Sequence, residues 1–339
     1  MLQLHYTHTD IPFQDPFTIS KATKTTQPAL VVSLTYFGVT GYGEAPAISY
    51  YNVTVEGMIQ VIEAKKRFIE KFAFSDPERY WHYLHHLLPA HPFLVAALDM
   101  AAWDLFGKLR RKPLWQLWNL DPGQMPITDY TIGIDTIDRM VEKLQAKPWP
   151  LYKIKVGTDG DIERIQALRQ HTEAPFVVDA NGGWNLEEAQ AKIPQLQSLG
   201  VQWVEQPLPR EAVEDMRLLK AASALPLIAD ESCVRENEVA LCAELFHGIN
   251  IKLTKCSGIT PARRMIQEAR KLNLQVMLGC MNEASIGSAA VAHLAPLADW
   301  QDNDGTLLLA GDNAAGFTVE HAKPVLQDAP GLGVQPTVF

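Results

Sequence analysis

Apolar positions along this chain change their rhythm near residue 120. Before that point, alternating and β-branched stretches (LQLHYTH, ALVVSLTYFGV) predict a small antiparallel sheet, with GYG as its turn. Three helical patterns follow. VEGMIQVIEAKKRFIEKF carries apolar residues at helical spacing, ERYWHYLHHLL is rich in aromatics, and FLVAALDMAAWDLFGKL is apolar on most faces and so predicts a buried helix. Gly107 and Pro113 bracket the expected end of that helix. Residues 1–120 therefore read as an α+β domain. From Pro126 onward short apolar runs alternate with amphipathic segments such as IERIQALRQH, LEEAQAKIPQLQSL and PARRMIQEARKL. Strands are expected near 126–133, 150–156, 175–180, 201–206, 226–230, 248–253, 274–279 and 298–302. Eight strands joined by helical crossovers predict a closed parallel barrel over residues 121–312. An open doubly wound sheet would carry a glycine-rich loop after its first strand, and none is present. The tail, 313–339, lacks periodicity and is expected to pack back on the first domain.

Composition narrows this picture little. The 339 residues are 47% hydrophobic and 20% charged, an ordinary globular balance. A net charge of -9 argues against nucleic acid or an anionic membrane as partner. Four cysteines without paired spacing, and an N-terminus without a basic segment and apolar core, predict a cytoplasmic protein.

The candidate chemistry sits at predicted strand ends. Asp179, Glu205 and Asp230 each close an apolar run and recur about every 25 residues, roughly one strand-plus-helix unit of a barrel. Successive strand ends converge on one mouth, where three carboxylates would repel one another without a cation. With no His or Cys among them, the donor set suits Mg²⁺. Asn181 could bond a metal-bound water or simply make a turn. Lys153 and Lys155 alternate on one strand and share a face, while Tyr152, Ile154 and Val156 point to the helices. Like charge and burial are expected to lower the pKa of these ammonium groups toward a usable amine base. Lys252 stands across the mouth from them. Lys255, at the start of the next loop, reads as a solvated lysine. His82, His85 and His86 read as solvent-facing helical residues.

KIKVG, DANGGW, VEQPL, DES and NIKLTKCSG, in that order, resemble the enolase superfamily and its muconate-lactonising-enzyme subgroup, as does AALDMAAWDLFGK in the first domain. The resemblance spans essentially the whole chain. It implies an N-terminal α+β capping domain on a (β/α)7β TIM-like barrel. It also implies one Mg²⁺ on Asp179, Glu205 and Asp230, with Lys155 and Lys252 as the acid/base pair and Lys153 polarising the substrate carboxylate. GCMNEASIG resembles a segment of dipeptide epimerases and adds Glu283 to the substrate-binding candidates. Asp302 and Asp304 in QDNDGT match the paired carboxylates with which those enzymes hold a dipeptide's ammonium group. Thr131 aligns with an active-site threonine, and Lys24, in a specificity loop from Thr18 to Pro28, aligns with a basic residue of Ala-Glu epimerases. Lys21 is a second candidate there. The implied activity is epimerisation of the C-terminal residue of L-Ala-D/L-Glu or a related dipeptide, in a homo-oligomer. N-acylamino acid racemisation, o-succinylbenzoate synthesis and muconate cycloisomerisation are alternatives, as is a non-catalytic carboxylate-binding barrel. One departure stands out: Ser257 replaces the first glycine of the family's K-x-G-G, which bears on the shape of that loop.

Overall fold

A computed structural model describes residues 1–339. Strands β1 (Gln3–Ile19), β2 (Ala22–Tyr36) and β3 (Val39–Pro46) form an antiparallel sheet in chain order, covered by helices α1 (Val55–Lys71), α2 (Pro77–Leu87) and α3 (Pro92–Arg110). Thr54 and Asp76 start α1 and α2 by accepting from the backbone N–H three residues on. GYG is not the turn. Phe37 and Gly38 make it, both at positive φ (48° and 76°). GYG lies inside β3, where a Cβ on Gly41 would come within 2.2 Å of Ala101 O and one on Gly43 within 1.9 Å of Ala97 O. Those glycines let the backbone of α3 lie directly on the strand. Gly107 likewise does not end α3. It sits in the last turn, where a Cβ would meet Gly331 Cα at 2.6 Å, and Arg111 takes the left-handed conformation beyond it.

The second sheet has eight parallel strands in sequence order: β4 (Tyr130–Ile132), β5 (Tyr152–Lys155), β6 (Phe176–Asp179), β7 (Val201–Glu205), β8 (Leu227–Ala229), β9 (Gly248–Lys252), β10 (Gln275–Gly279) and β11 (Trp300–Asp302). Each lies within the range expected from the sequence. A parallel bridge between Thr128 and Gln301, with Asn303 N donating to Thr128 Oγ1 at 2.8 Å, closes the ring. The result is a (β/α)7β barrel with an antiparallel capping sheet. Its interior is layered by strand alternation. Leu151, Val177, Trp203, Ile228 and Met277 form an apolar lower cluster, in which Trp203 stacks on Trp300 with ring centroids 4.3 Å apart. Two residues further along, four of the five inward positions become charged (Lys153, Asp179, Glu205 and Asp230), and the fifth is Gly279.

Three buried carboxylates bind the first 120 residues to the rest. Asp99 accepts from Thr260 N and Oγ1, both at 2.8 Å, at the start of helix Ile259–Lys271. Glu44 accepts from Ala284 N and Gly287 N, both at 2.9 Å, at the start of helix Ser285–Leu294. Asp104 accepts from Tyr42 N at 2.9 Å and Leu332 N at 2.8 Å. Burial pushes all three upward, Asp99 to about 7, against the donors they accept from. The tail reaches the end of α3, where Gly331 N donates to Lys112 O at 3.0 Å. Buried His293 accepts from Trp115 N at 3.2 Å and faces Leu332 O at 3.2 Å. No helix is long and apolar enough to cross a membrane.

Candidate active site

Asp179 ends β6, Glu205 ends β7, and Asp230 follows β8, so three neighbouring strands deliver three carboxylates to one point. Their oxygens lie within 4.8 Å of one another, and all three side chains are buried. Each is oriented by a donor. Asn181 N reaches Asp179 Oδ1 at 2.9 Å, and Asn250 Nδ2 reaches Glu205 Oε1 at 2.8 Å. Buried Asn181 Oδ1 has no partner and adds a further acceptor beside the triad. An all-oxygen set of this charge fits a hard divalent cation such as Mg²⁺. Neighbouring lysines hold Asp179 and Asp230 low despite burial, Asp179 at about 2, whereas burial and the charge of Asp179 raise Glu205.

The lysines occupy opposite walls. Lys155 is on the second barrel strand and Lys252 on the sixth, so three strands lie between them on either side in a ring of eight. Lys155 Nζ donates to Asp179 Oδ2 at 2.6 Å, and Lys252 Nζ donates to Asp230 Oδ2 at 2.9 Å. Lys153 lies one layer deeper and is fully buried. Its ammonium meets Asp302 Oδ2 and Glu205 Oε2 at 2.7 Å and Asp179 Oδ2 at 3.4 Å, so it joins the triad to the eighth strand beneath the cavity. The lowering of pKa expected for the Lys153 and Lys155 pair is not found at Lys153, and Lys252 too stands above its ordinary range. Burial does pull both down, but Asp302, Glu205 and Asp179 around Lys153, and Asp230 beside Lys252, more than reverse it.

A cavity of about 260 Å³ lies over this floor, lined by Lys155, Lys252, Asp230, Thr131, Asp302 and Asp304, among others. Asp302 and Asp304 sit at the eighth strand, across the ring from Glu205 on the fourth. Thr131 N donates to Asp304 Oδ2 at 2.7 Å, leaving Oδ1 toward Cys280 Sγ at 3.8 Å. Lys153 and the other lysines lower Asp302 against burial, whereas burial and Asp302 raise Asp304 to about 7. Residues 18–28 are not a loop. They are the end of β1 and the first part of β2, with Thr18 paired to Thr23, so the cover is a hairpin tip. Ile134 N donates to Thr18 O at 2.9 Å, which ties that tip to the barrel. Lys24 is half-buried beside the cavity, donates to Gln27 Oε1 at 3.1 Å, and is lowered to about 8 by burial and the charge of Lys252. Lys21 is turned to Tyr50 OH at 2.9 Å and to Glu231 Oε1 at 3.8 Å. Glu283 does not line the cavity. It accepts from Met281 N, and so shapes the loop from inside.

Lys255 overturns its expectation: it is 1% exposed rather than solvated. Its Nζ donates to Asp230 O at 2.6 Å, to Asn250 O at 3.3 Å and to Asp230 Oδ1. Glu231 and Asn250 were not foreseen. Glu231 accepts from Asn181 Nδ2 at 3.3 Å and is pushed to about 7 by burial and Asp230. The DES motif pointed at Glu231, but an acid beside a metal ligand gives no sign of its own direction. Ser257 takes the left-handed conformation (φ 74°), a cost of ~1 kcal/mol for a residue with a Cβ. His82, His85 and His86 are exposed on α2, with His85 stacked on Trp81 at 4.7 Å.

A lysine pair facing each other across a carboxylate triad, within a capped (β/α)7β barrel, defines a carbon-acid site of the enolase type. Residues 1–118 match the mandelate racemase/muconate lactonizing enzyme N-terminal domain and residues 135–338 match the enolase C-terminal domain-like family, so the chain belongs to that family. It is 45% identical over 325 residues to an L-Ala-D/L-amino acid epimerase of Flavobacterium johnsoniae, covering 96% of this chain and 97% of that one. The fold superposes on a substrate-liganded L-Ala-D/L-Glu epimerase from Bacillus subtilis with TM-score 0.93 at 28% identity, covering 98% of each chain. It also superposes on a dipeptide epimerase from Enterococcus faecalis complexed with Mg and L-Leu-L-Tyr, with TM-score 0.89 at 30% identity, covering 98% of this chain and 99% of that one.

Proposed function

We propose that this protein is an isomerase that epimerises dipeptides, inverting the C-terminal residue by proton transfer between two lysines, with L-Ala-D/L-Glu as its first substrate. The observation that carries this reading is the cross arrangement of the cavity. Lysines stand on the second and sixth strands, metal-type carboxylates on the third to fifth, and ammonium-type carboxylates on the eighth. A dipeptide has a carboxylate at one end and an ammonium at the other, and that polarity matches the axis from the triad to Asp302 and Asp304. Its C-terminal α-carbon then lies between Lys155 and Lys252. Asp179, Glu205 and Asp230 would hold Mg²⁺, which supplies positive charge against the charge developing on the substrate carboxylate.

The residues of the chain do the rest. Lys155 or Lys252 takes the α-proton from one face, and the other, as ammonium, returns one to the opposite face. Asp302 and Asp304 fix the amino end, which sets the α-carbon at the reach of both amines. Lys24 meets an acidic side chain from the hairpin. The Flavobacterium relative, an L-Ala-D/L-amino acid epimerase, supports an L-Ala dipeptide with a broader choice at the second position. The test is a dipeptide library incubated in D₂O with Mg²⁺ and, separately, with a chelator, read as α-deuteration by mass spectrometry. Deuterium should enter the C-terminal residue only, and only with the cation. Incorporation into N-acylated amino acids but not free dipeptides would replace this reading with racemisation of acylated substrates.

A further inference from the structure

One carboxyl inside the barrel has no donor to hold it. Asp129 is fully buried, and neither its Oδ1 nor its Oδ2 has a hydrogen-bond partner. Ile127, two residues earlier, packs on the lower apolar cluster, and Thr131, two residues later, lines the cavity, so Asp129 faces inward between them. The backbone here is tied to the eighth strand. Asp129 N donates to Gln301 O at 3.3 Å, and Asn303 N donates to Thr128 Oγ1 at 2.8 Å. The charges facing Asp129 are accordingly Asp302 and Asp304 of that strand, with Lys153 beside them.

Three carboxyls gathered away from water do not all ionise, because like charges at close range favour keeping a proton on one of them. Their surroundings decide which. Asp302 Oδ2 accepts from Lys153 Nζ and Asp304 Oδ2 accepts from Thr131 N, each at 2.7 Å, and both side chains line the cavity where a substrate ammonium would meet them. Asp129 has no donor and does not line the cavity. No other cation serves it. The divalent cation belongs to the triad on the third to fifth strands, and by neutralising those carboxylates it leaves Asp302 as the anion that keeps Lys153. We propose that Asp129 is a neutral carboxylic acid and a positioning residue, donating its proton to Asp302 from the side away from the cavity. This rests on the dipeptide reading above, in which Asp302 and Asp304 hold the amino end, and adds what aims Asp302 at it. Burial and the charge of Asp302 both push the Asp129 carboxyl well above the usual range, in the same direction.

The test compares two replacements in the enzyme with saturating Mg²⁺. Asp129→Asn keeps the shape and a donor without a charge, as the neutral acid does, whereas Asp129→Leu keeps the bulk and has no donor. The Asn variant should hold KM for L-Ala-L-Glu within about twofold, and the Leu variant should raise it about tenfold or more with a much smaller change in kcat. Inhibition by propionyl-L-glutamate, which lacks the ammonium, should be the same in all three proteins. A merely structural role would weaken both ligands alike. Infrared difference spectra between the parent and Asp129→Asn, taken without dipeptide, should show the carbonyl stretch of a protonated carboxyl in the parent alone. Equal rises of KM in the Asn and Leu variants would make Asp129 an ionised charge and overturn the proposal, as would an unchanged KM in the Leu variant or a missing infrared band. Asp129→Ala is made in parallel, and if neither apolar variant folds, the Asn kinetics and the infrared band decide. If the parent turns over no dipeptide, the failure belongs to the epimerase reading, and the band still reports the proton.

Discussion

The two layers inside the barrel come from the same strands and have opposite characters. Val177 and Asp179, Trp203 and Glu205, and Ile228 and Asp230 are pairs two residues apart, each with an apolar member below and a charged member above. The lower members fill space and can be exchanged only for something of like volume. The upper members are held by ion pairs and donors, and their value lies in direction and charge. One strand therefore carries stability and chemistry at alternate inward positions. The lesson is that the two can be perturbed separately, although only a few ångströms part them.

The strongest break in that comparison is at the lysines. Lys155→Ala and Lys252→Ala should each reduce epimerisation by on the order of 10²–10⁴-fold, the worth of a general acid or base, while leaving α-proton exchange of one enantiomer measurable. Optical rotation and mass spectrometry on the same samples check both halves. Trp203→Ala acts on the lower layer and should cost about 3–5 kcal/mol of stability, because it removes the stacked partner of Trp300 and leaves a cavity. Denaturant unfolding measures that loss, and turnover per folded molecule should fall far less than in the lysine variants. Asp304→Asn sharpens the contrast within the upper layer. It should raise KM for a free dipeptide by roughly 10-fold or more, the worth of a charge-assisted bond, and leave an N-acetylated analogue unaffected.

The smallest effect is one of pH. Lys24 is lowered to about 8, so its ammonium is present below that pH and lost above it. KM for L-Ala-L-Glu should therefore climb a few-fold as pH rises through about 8, while KM for L-Ala-L-Ala stays level across the same range. Steady-state kinetics on the two substrates separate this from titration of groups common to both.

The strands and the triad were legible because a barrel repeats its grammar: an apolar run, then an acid, at the interval of one strand and one helix. What a residue does was legible wherever its direction follows from its place on a strand, as at Lys153 and Lys155. It failed where direction depends on another element. Lys255 looks like the first residue of a solvated loop until β8 supplies Asp230 for it to bind. The glycines of GYG look like a turn until α3 is laid on them. The expected depression of the lysine pKa weighed burial and like charges but not the number of carboxylates that the fold gathers around each amine. Residues 18–28 looked like a loop because their polar composition hides a ladder made by backbone groups alone.

Glu44 and Asp99 reach out of the first domain to seat the start of two barrel helices, and the peptide just before each start shapes the cavity or carries a lysine of the site. Recombination between relatives would therefore have to carry those two acids along with the segments they anchor. A chimera cut at residue 120 without them would inherit every reacting group and still lack the grip that keeps two of its loops in register.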